Sequence, residues 1–245
     1  MAELQTLLKA LDILNLLGES DSKLSVEEIS NCLEIPESTT YRLLQTLEKR
    51  GFIERESRGC ITLGYSVLNL ARDTYEKLDR QLSIAATPIL EDLTDHLCET
   101  TMISIRSGLY STCLKSVPCK ERIRFVADEK RLLPIYLAAS GRAILAYENE
   151  KIISLAKKEV RDKEKVKWLE EQLAFTIKNG YSISRSEYDE GTLGIGVPVF
   201  NSYGHIYASL AMVGPEYRTK DEKIEDIIVP ALKEASKRLT EQLSE

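Results

Sequence analysis

The stretch from Leu24 to Leu63 constrains this chain more than any other, because a helix cap, two helix stops and a turn follow one another there in fixed order. Ser25-Val26-Glu27-Glu28 is an S-x-x-E capping box, in which the serine and the glutamate satisfy each other's backbone N–H groups. It opens a short helix with Val26, Ile29 and Leu33 on its apolar face. A four-residue break, Glu34–Glu37, carries Pro36, a residue suited to the first turn of a new helix. The spacing predicts that helix over Glu37–Arg50, ended by Gly51. Phe52–Glu56 and Cys60–Leu63 then predict two strands joined at Ser57-Arg58-Gly59. A further helix precedes them, with Leu4, Leu7, Leu8, Leu11, Leu14 and Leu17 in helical rhythm and Gly18 as its stop. The order helix, helix, turn, helix, hairpin is that of a winged helix-turn-helix.

On a helical wheel the third helix divides cleanly. Thr40, Leu43, Leu44 and Leu47 form a packing side, while Ser38, Tyr41, Arg42, Gln45 and Lys49 form a polar side with no carboxylate. Such groups suit the major groove: Arg reads guanine with two hydrogen bonds, Gln reads adenine, and hydroxyls hold phosphates. Thr39 sits beside them, and Arg55 and Arg58 on the hairpin would reach backbone or minor groove. Bulk charge does not favour nucleic acid, since the 245 residues carry a net charge of −6. Residues 38–60 reverse that sign locally with five basic and three acidic side chains, and attraction to phosphate depends on charges near the contact.

The rest of the chain alternates helical and strand-like runs. Tyr65 to Leu78 predicts a connector helix. Further helices are expected at Leu82–Leu97, Ser140–Tyr147, Asn149–Lys158, Lys163–Asn179 and Asp221–Leu243. Strands are expected at Thr100–Arg106, Ser111–Val117, Tyr181–Ser186, Gly196–Phe200 and Ile206–Val213. The last two flank Asn201-Ser202-Tyr203-Gly204, a hairpin signal. The domain plan is therefore a DNA-binding unit over 1–63, a connector over 64–79 and a second domain over 80–245. Gly191-x-x-Gly194-x-Gly196 is not a dinucleotide fingerprint, because a strand-like Val197-Pro198-Val199 follows where a helix should begin.

Few residues are available for catalysis. His96 and His205 are the only histidines, too few for most metal or relay chemistries, so no catalytic residue, metal site or cofactor is expected. Five cysteines with no C-x-x-C pair read as free thiols of a reducing compartment. No apolar run approaches the ~20 residues of a membrane span, and Met1-Ala2-Glu3-Leu4 lacks the features of a signal peptide; a cytoplasmic protein is expected.

Leu24-Ser25-Val26-Glu27-Glu28-Ile29, Ile35-Pro36 through Leu44 and Leu47-Glu48-Lys49-Arg50-Gly51-Phe52-Ile53 resemble the IclR family of bacterial transcription regulators. Leu133-Pro134 through Ala146, Asn179-Gly180-Tyr181 through Gly191, Val197-Pro198-Val199 and Met212-Val213-Gly214-Pro215 extend the resemblance over nearly the whole chain. It implies an α+β protein, a winged helix-turn-helix joined by a connector helix to a GAF-like α/β effector domain. Such a protein binds a palindromic operator as a dimer or tetramer and answers a small effector. Carried over by motif, the effector contacts are Ala139, Ser140 and Gly141, then Ser184, Gly194 in the glycine-rich turn, and Ala211 and Val213 on the last strand. Ser140-Gly141 at a helix start would present N–H groups to an anion, which favours a carboxylate or aromatic-acid metabolite; Ser140 is also readable as a plain N-cap. Arg185 and Glu187 read as exposed strand-face charges, with pocket residues as the alternative.

Two other functions compete. Cys113 and Cys119 could serve a redox switch or thiol chemistry if Lys115, Lys120 and Arg122 lowered a thiol pKa. An architectural DNA-binding protein with no ligand is the third reading.

Overall fold

The computed structural model describes residues 4–20, 22–56, 59–129 and 131–243. The chain divides into two compact units at Leu78/Asp79.

In the first unit, α1 (Gln5–Glu19), α2 (Val26–Cys32) and α3 (Glu37–Lys49) precede a hairpin of β1 (Ile53–Arg55) and β2 (Ile61–Leu63). The capping box forms: Ser25 Oγ accepts from the Glu28 N–H at 3.2 Å, and the Glu28 carboxylate accepts from the Ser25 N–H at 2.7 Å. Ile13, Ile29, Leu43, Leu44, Ile53 and Ile61 make the core, drawing on all three helices and both strands. Leu24 pairs with Ile61 through a 2.8 Å bond from the Ile61 N–H, which ties the hairpin to the segment before α2.

The unit boundary falls inside α4 (Tyr65–Leu97), 33 residues long. Two helices were expected here, a connector ending near Leu78 and a second from Leu82. Asp79-Arg80-Gln81 contains no helix breaker, and the two run together as one. Pro88 lies inside this helix, where its missing N–H would ordinarily interrupt the ladder. The Thr87 hydroxyl donates to the Ser83 carbonyl at 2.7 Å beside that gap.

The second unit is built on a six-stranded antiparallel sheet in the order β5-β4-β3-β8-β7-β6. These are β3 (Thr100–Ser107), β4 (Tyr110–Val117), β5 (Leu132–Pro134), β6 (Ser182–Arg185), β7 (Thr192–Phe200) and β8 (Ile206–Pro215). One face carries Ile103, Leu193, Ile195, Val197, Leu210 and Met212, packed in one core with Leu90 and Leu97 of α4 and Leu232 of α9 (Val229–Gln242). On the other face lies α5 (Ala139–Leu145), with α6 (Glu150–Glu159) and α7 (Lys163–Asn179) outside it. Ile135, Ile144, Leu145, Leu169 and Leu173 make a second core there.

Three details depart from the sequence reading. β5 was not foreseen. β7 begins at Thr192 rather than Gly196, so the glycine-rich segment is strand rather than turn. Leu193, Ile195, Val197 and Val199 alternate along it, facing the α4 core, which is the period of a half-buried strand. The last expected helix is broken into α8 (Asp221–Lys223), a π-helical turn over Ile224–Ile228, and α9. Pro230 in the first turn of α9 lacks the N–H that an unbroken ladder would use.

Candidate functional sites

The α3 wheel is realised in space. Thr40, Leu43 and Leu44 are buried, while Ser38, Tyr41, Arg42, Gln45 and Lys49 are exposed and Thr39 is half-buried. Arg55 is not the free cation expected of the hairpin. Its Nε donates to the Glu48 carboxylate at 2.8 Å, and its guanidinium stands 5.1 Å from the centre of the Tyr41 ring. A carboxylate on the inner flank of α3, absent from the five-residue polar set, competes here for the hairpin's charge. Arg58 lies outside the described residues.

In the second unit a cavity of about 290 Å³ opens between the sheet and the start of α5. Register explains its floor. Met102 and Ser104 of β3, Ser184 of β6, Gly194 of β7 and Ala211 and Val213 of β8 point to one face, with Gly194 set between Ser184 and Val213. Ala139 and Ser140 close it from α5. Gly196 lets α5 come this near: a Cβ there would stand 2.9 Å from the Ala139 carbonyl oxygen. Of the seven expected effector residues, Ala139, Ser140, Ser184, Gly194, Ala211 and Val213 line the cavity.

Gly141 does not. It turns toward the preceding segment, where a Cβ would lie 2.2 Å from the Ile135 carbonyl oxygen, so its role is close packing. Nor is Ser140 the helix cap, since Ala138 holds that position.

The cavity also has walls that the sequence did not disclose. Phe125, Val126, Ala127, Asp128 and Arg131 come from the long connection between β4 and β5, and Tyr188 and Asp189 from the turn after β6. The first connection is tied down, its Phe125 carbonyl accepting from the Thr100 hydroxyl at 2.6 Å and its Ile123 carbonyl from Arg218 at 2.5 Å. The second is held by Glu187, expected as a surface charge, which instead receives the buried Arg142 of α5. Arg185 does sit at the surface, paired with Glu216 and Asp221.

The thiol chemistry loses its premise. Burial, reinforced by Glu129, pushes the Cys113 thiol up to about 12, so it holds its proton at neutral pH. Lys115 and Lys120, the proposed activators, pair with Glu129 at 3.7 Å and Asp95 at 2.8 Å. Cys119 is buried, and both sulfurs are free thiols. Among the described residues no group of three or more His, Cys, Asp or Glu gathers to hold a metal, and no helix is long and apolar enough to cross a membrane.

Comparison with known proteins agrees with this division. Residues 78–241 match the family model for the bacterial transcriptional regulator IclR C-terminal domain, and residues 6–57 match the IclR helix-turn-helix domain. The HTH-type transcriptional regulator KipR of Bacillus subtilis is 26% identical over 230 residues, covering 90% of each chain. The transcriptional repressor IclR of Escherichia coli is 25% identical over 247 residues, covering 96% of this chain and 89% of that protein. The crystal structure of the Thermotoga maritima IclR superposes with a TM-score of 0.62 at 25% identity, covering 99% of this chain and 100% of that one. Two family models that between them span both units place this chain in the IclR family of bacterial transcriptional regulators.

Proposed function

We propose that this chain binds operator DNA through the exposed face of α3 and releases or tightens its hold when a small carboxylate or aromatic acid fills the cavity of the second unit. The observation that carries the reading is the sorting of α3, which buries Leu43 and Leu44 and leaves Tyr41, Arg42, Gln45 and Lys49 exposed. Arg42 and Gln45 are the base readers, Ser38, Thr39, Tyr41 and Lys49 hold phosphates, and Arg55 and Arg58 serve the flank of the site.

A palindromic operator needs two such helices, because one recognition helix reads one half-site. Exposed Leu4 just before α1, Leu7 and Leu11 on it, and Tyr65 and Leu68 on α4 supply apolar surface that favours pairing of two copies or assembly of four. The protein works in the cytoplasm, where its DNA and metabolite are found. Effector binding shifts DNA occupancy only by its differential affinity for two states of the protein, typically ~1–3 kcal/mol of coupling.

Fluorescence anisotropy with the DNA upstream of the protein's own gene tests the reading. Wild type should bind it in preference to scrambled sequence. Arg42→Ala should lose part of that preference while its circular dichroism is unchanged; equal binding to both sequences by wild type would contradict the reading.

A further inference from the structure

We propose that the effector is a hydroxylated monocarboxylate, with its acid group at Arg131 in the mouth of the cavity and its hydroxyls along an arc of serines within. This rests on the cavity being the effector site. Ser104, Ser111, Ser140 and Ser184 line the cavity and are only 2, 3, 5 and 8% exposed. None of the four side-chain hydroxyls has a hydrogen-bond partner among the described residues.

Their oxygens are open to the cavity rather than sealed in the core, so a ligand there meets four hydroxyls that no protein group has taken. Four on one cavity surface await groups that can both accept and donate, as a hydroxyl does. An alkyl chain or a bare aromatic ring would cover them and offer nothing in return. A site built to hydrogen-bond a hydroxyl rejects the analogue that lacks it far more strongly than an apolar pocket rejects an added one.

Charge sets the other end. Arg131 lines the mouth, its guanidinium 5.3 Å from the centre of the Tyr188 ring, and it makes no ion pair among the described residues. The ring fixes the cation's position and leaves its N–H fork for a carboxylate. Asp128 and Asp189 border the same mouth. The guanidinium offers its fork to one carboxylate, while the two aspartates beside it disfavour a second acid group and can accept hydrogen bonds from the ligand's hydroxyls. Ala211, Val213 and Phe125 supply apolar surface for its C–H groups. The cavity, about 290 Å³, holds roughly ten water volumes at about 30 Å³ each, a size for on the order of a dozen non-hydrogen atoms.

Isothermal titration calorimetry of the full chain with four probes tests this: gluconate, hexanoate without hydroxyls, glucarate with a second acid group, and gluconamide without charge. Gluconate should bind tighter than each of the others by about tenfold or more, the worth of one charge-assisted hydrogen bond or of buried hydroxyls left unpaired. Arg131→Gln should erase the preference for gluconate over gluconamide, and Arg131→Lys should restore part of it. Joint Ser104→Ala and Ser111→Ala should weaken gluconate and leave hexanoate unchanged, with melting by circular dichroism confirming the fold. Hexanoate binding as tightly as gluconate, an Arg131→Gln chain that keeps its preference, or no binding of any probe would each overturn the proposal. DNA binding measured on the same preparations separates the outcomes: a protein that holds its operator but ignores gluconate contradicts the ligand assignment alone.

Discussion

Arg142 of α5, wholly buried, grips the Glu187 carboxylate with both terminal nitrogens, 2.5 Å to one oxygen and 3.1 Å to the other. The same guanidinium donates to the carbonyls of Tyr136, Leu137 and Ile183 and stands 4.9 Å from the centre of the Trp168 ring. It therefore pins two separate pieces of backbone, Tyr136-Leu137 and Ile183, to one point. Glu187 directly precedes Tyr188 and Asp189, two walls of the cavity, so the shape of the mouth depends on a charge pair that does not itself line it. Removing one partner of a buried pair leaves the other uncompensated. Glu187→Ala should cost about 3 kcal/mol in urea unfolding, the low end of the range for buried pairs because Glu187 is partly open to water. A loss below 1 kcal/mol would show that the pair is not structural.

Glu48 and Arg55 make a second prediction. While Glu48 holds Arg55, the hairpin's cation is partly neutralised. Glu48→Ala should raise DNA affinity and steepen its salt dependence by about one phosphate contact, read as a change of ~1 in the slope of log K against log salt. Arg42→Ala, in contrast, should cost about 1–3 kcal/mol of specific binding through a lost base contact.

Glu99 gives a pH dependence. It is buried directly after α4, pairs with Arg218 at 3.3 Å, and leaves its second oxygen without a partner. Burial raises its pKa against the pull of Arg218 and Lys223. A carboxyl whose folded pKa is raised contributes stability that is fully present below the ordinary carboxylate range and lost as pH rises through the folded value. Thermal melts of wild type should thus lose part of their stability from pH 4 upward, and Glu99→Gln should flatten that loss. Parallel profiles for the two proteins would contradict the assignment.

Cys119→Ser should leave effector response intact, whereas Cys113 lines the cavity and is tested by its reactivity instead. Iodoacetamide should modify Cys113 far more slowly than a free thiol at neutral pH, because the thiolate is scarce when the pKa is about 12. Rapid alkylation followed by loss of DNA binding would revive the redox reading.

Much of this was legible in the residues, and the exceptions have physical causes. Ser25, Glu28, Pro36 and Gly51 marked the first unit because caps and stops are local chemistry, decided within one turn of helix. The floor of the cavity followed from motifs on regular strands. The walls at Phe125–Arg131 and Tyr188–Asp189 did not, because irregular connections have no period and their approach depends on long-range anchors such as Thr100 and Arg218. The burial of Arg142 was signalled only faintly, by one charge within the otherwise uncharged run Ala139–Leu145. Its counter-ion stands 45 positions away, beyond any local pattern. Gly194 lies in a strand rather than the expected turn because glycine marks turns and close approaches alike, and here α5 lies against the strand.

The central claim is that the cavity governs DNA binding, and Gly194 offers the cleanest way to test it. A Cβ at Gly194 would meet its nearest neighbour, the Ala139 side chain, at 3.7 Å, an ordinary contact. The first carbon of a side chain is therefore accommodated there, and the two methyls of Gly194→Val take up room in the cavity, with a circular-dichroism melt checking that the variant folds. The measurement is anisotropy of operator DNA titrated with a hydroxylated monocarboxylate such as gluconate, wild type beside Gly194→Val. Equal DNA affinity without the acid, a shift of about tenfold in wild type with it, and no shift in the variant is the result expected. An acid response that survives intact in Gly194→Val would contradict the claim and place the effector elsewhere.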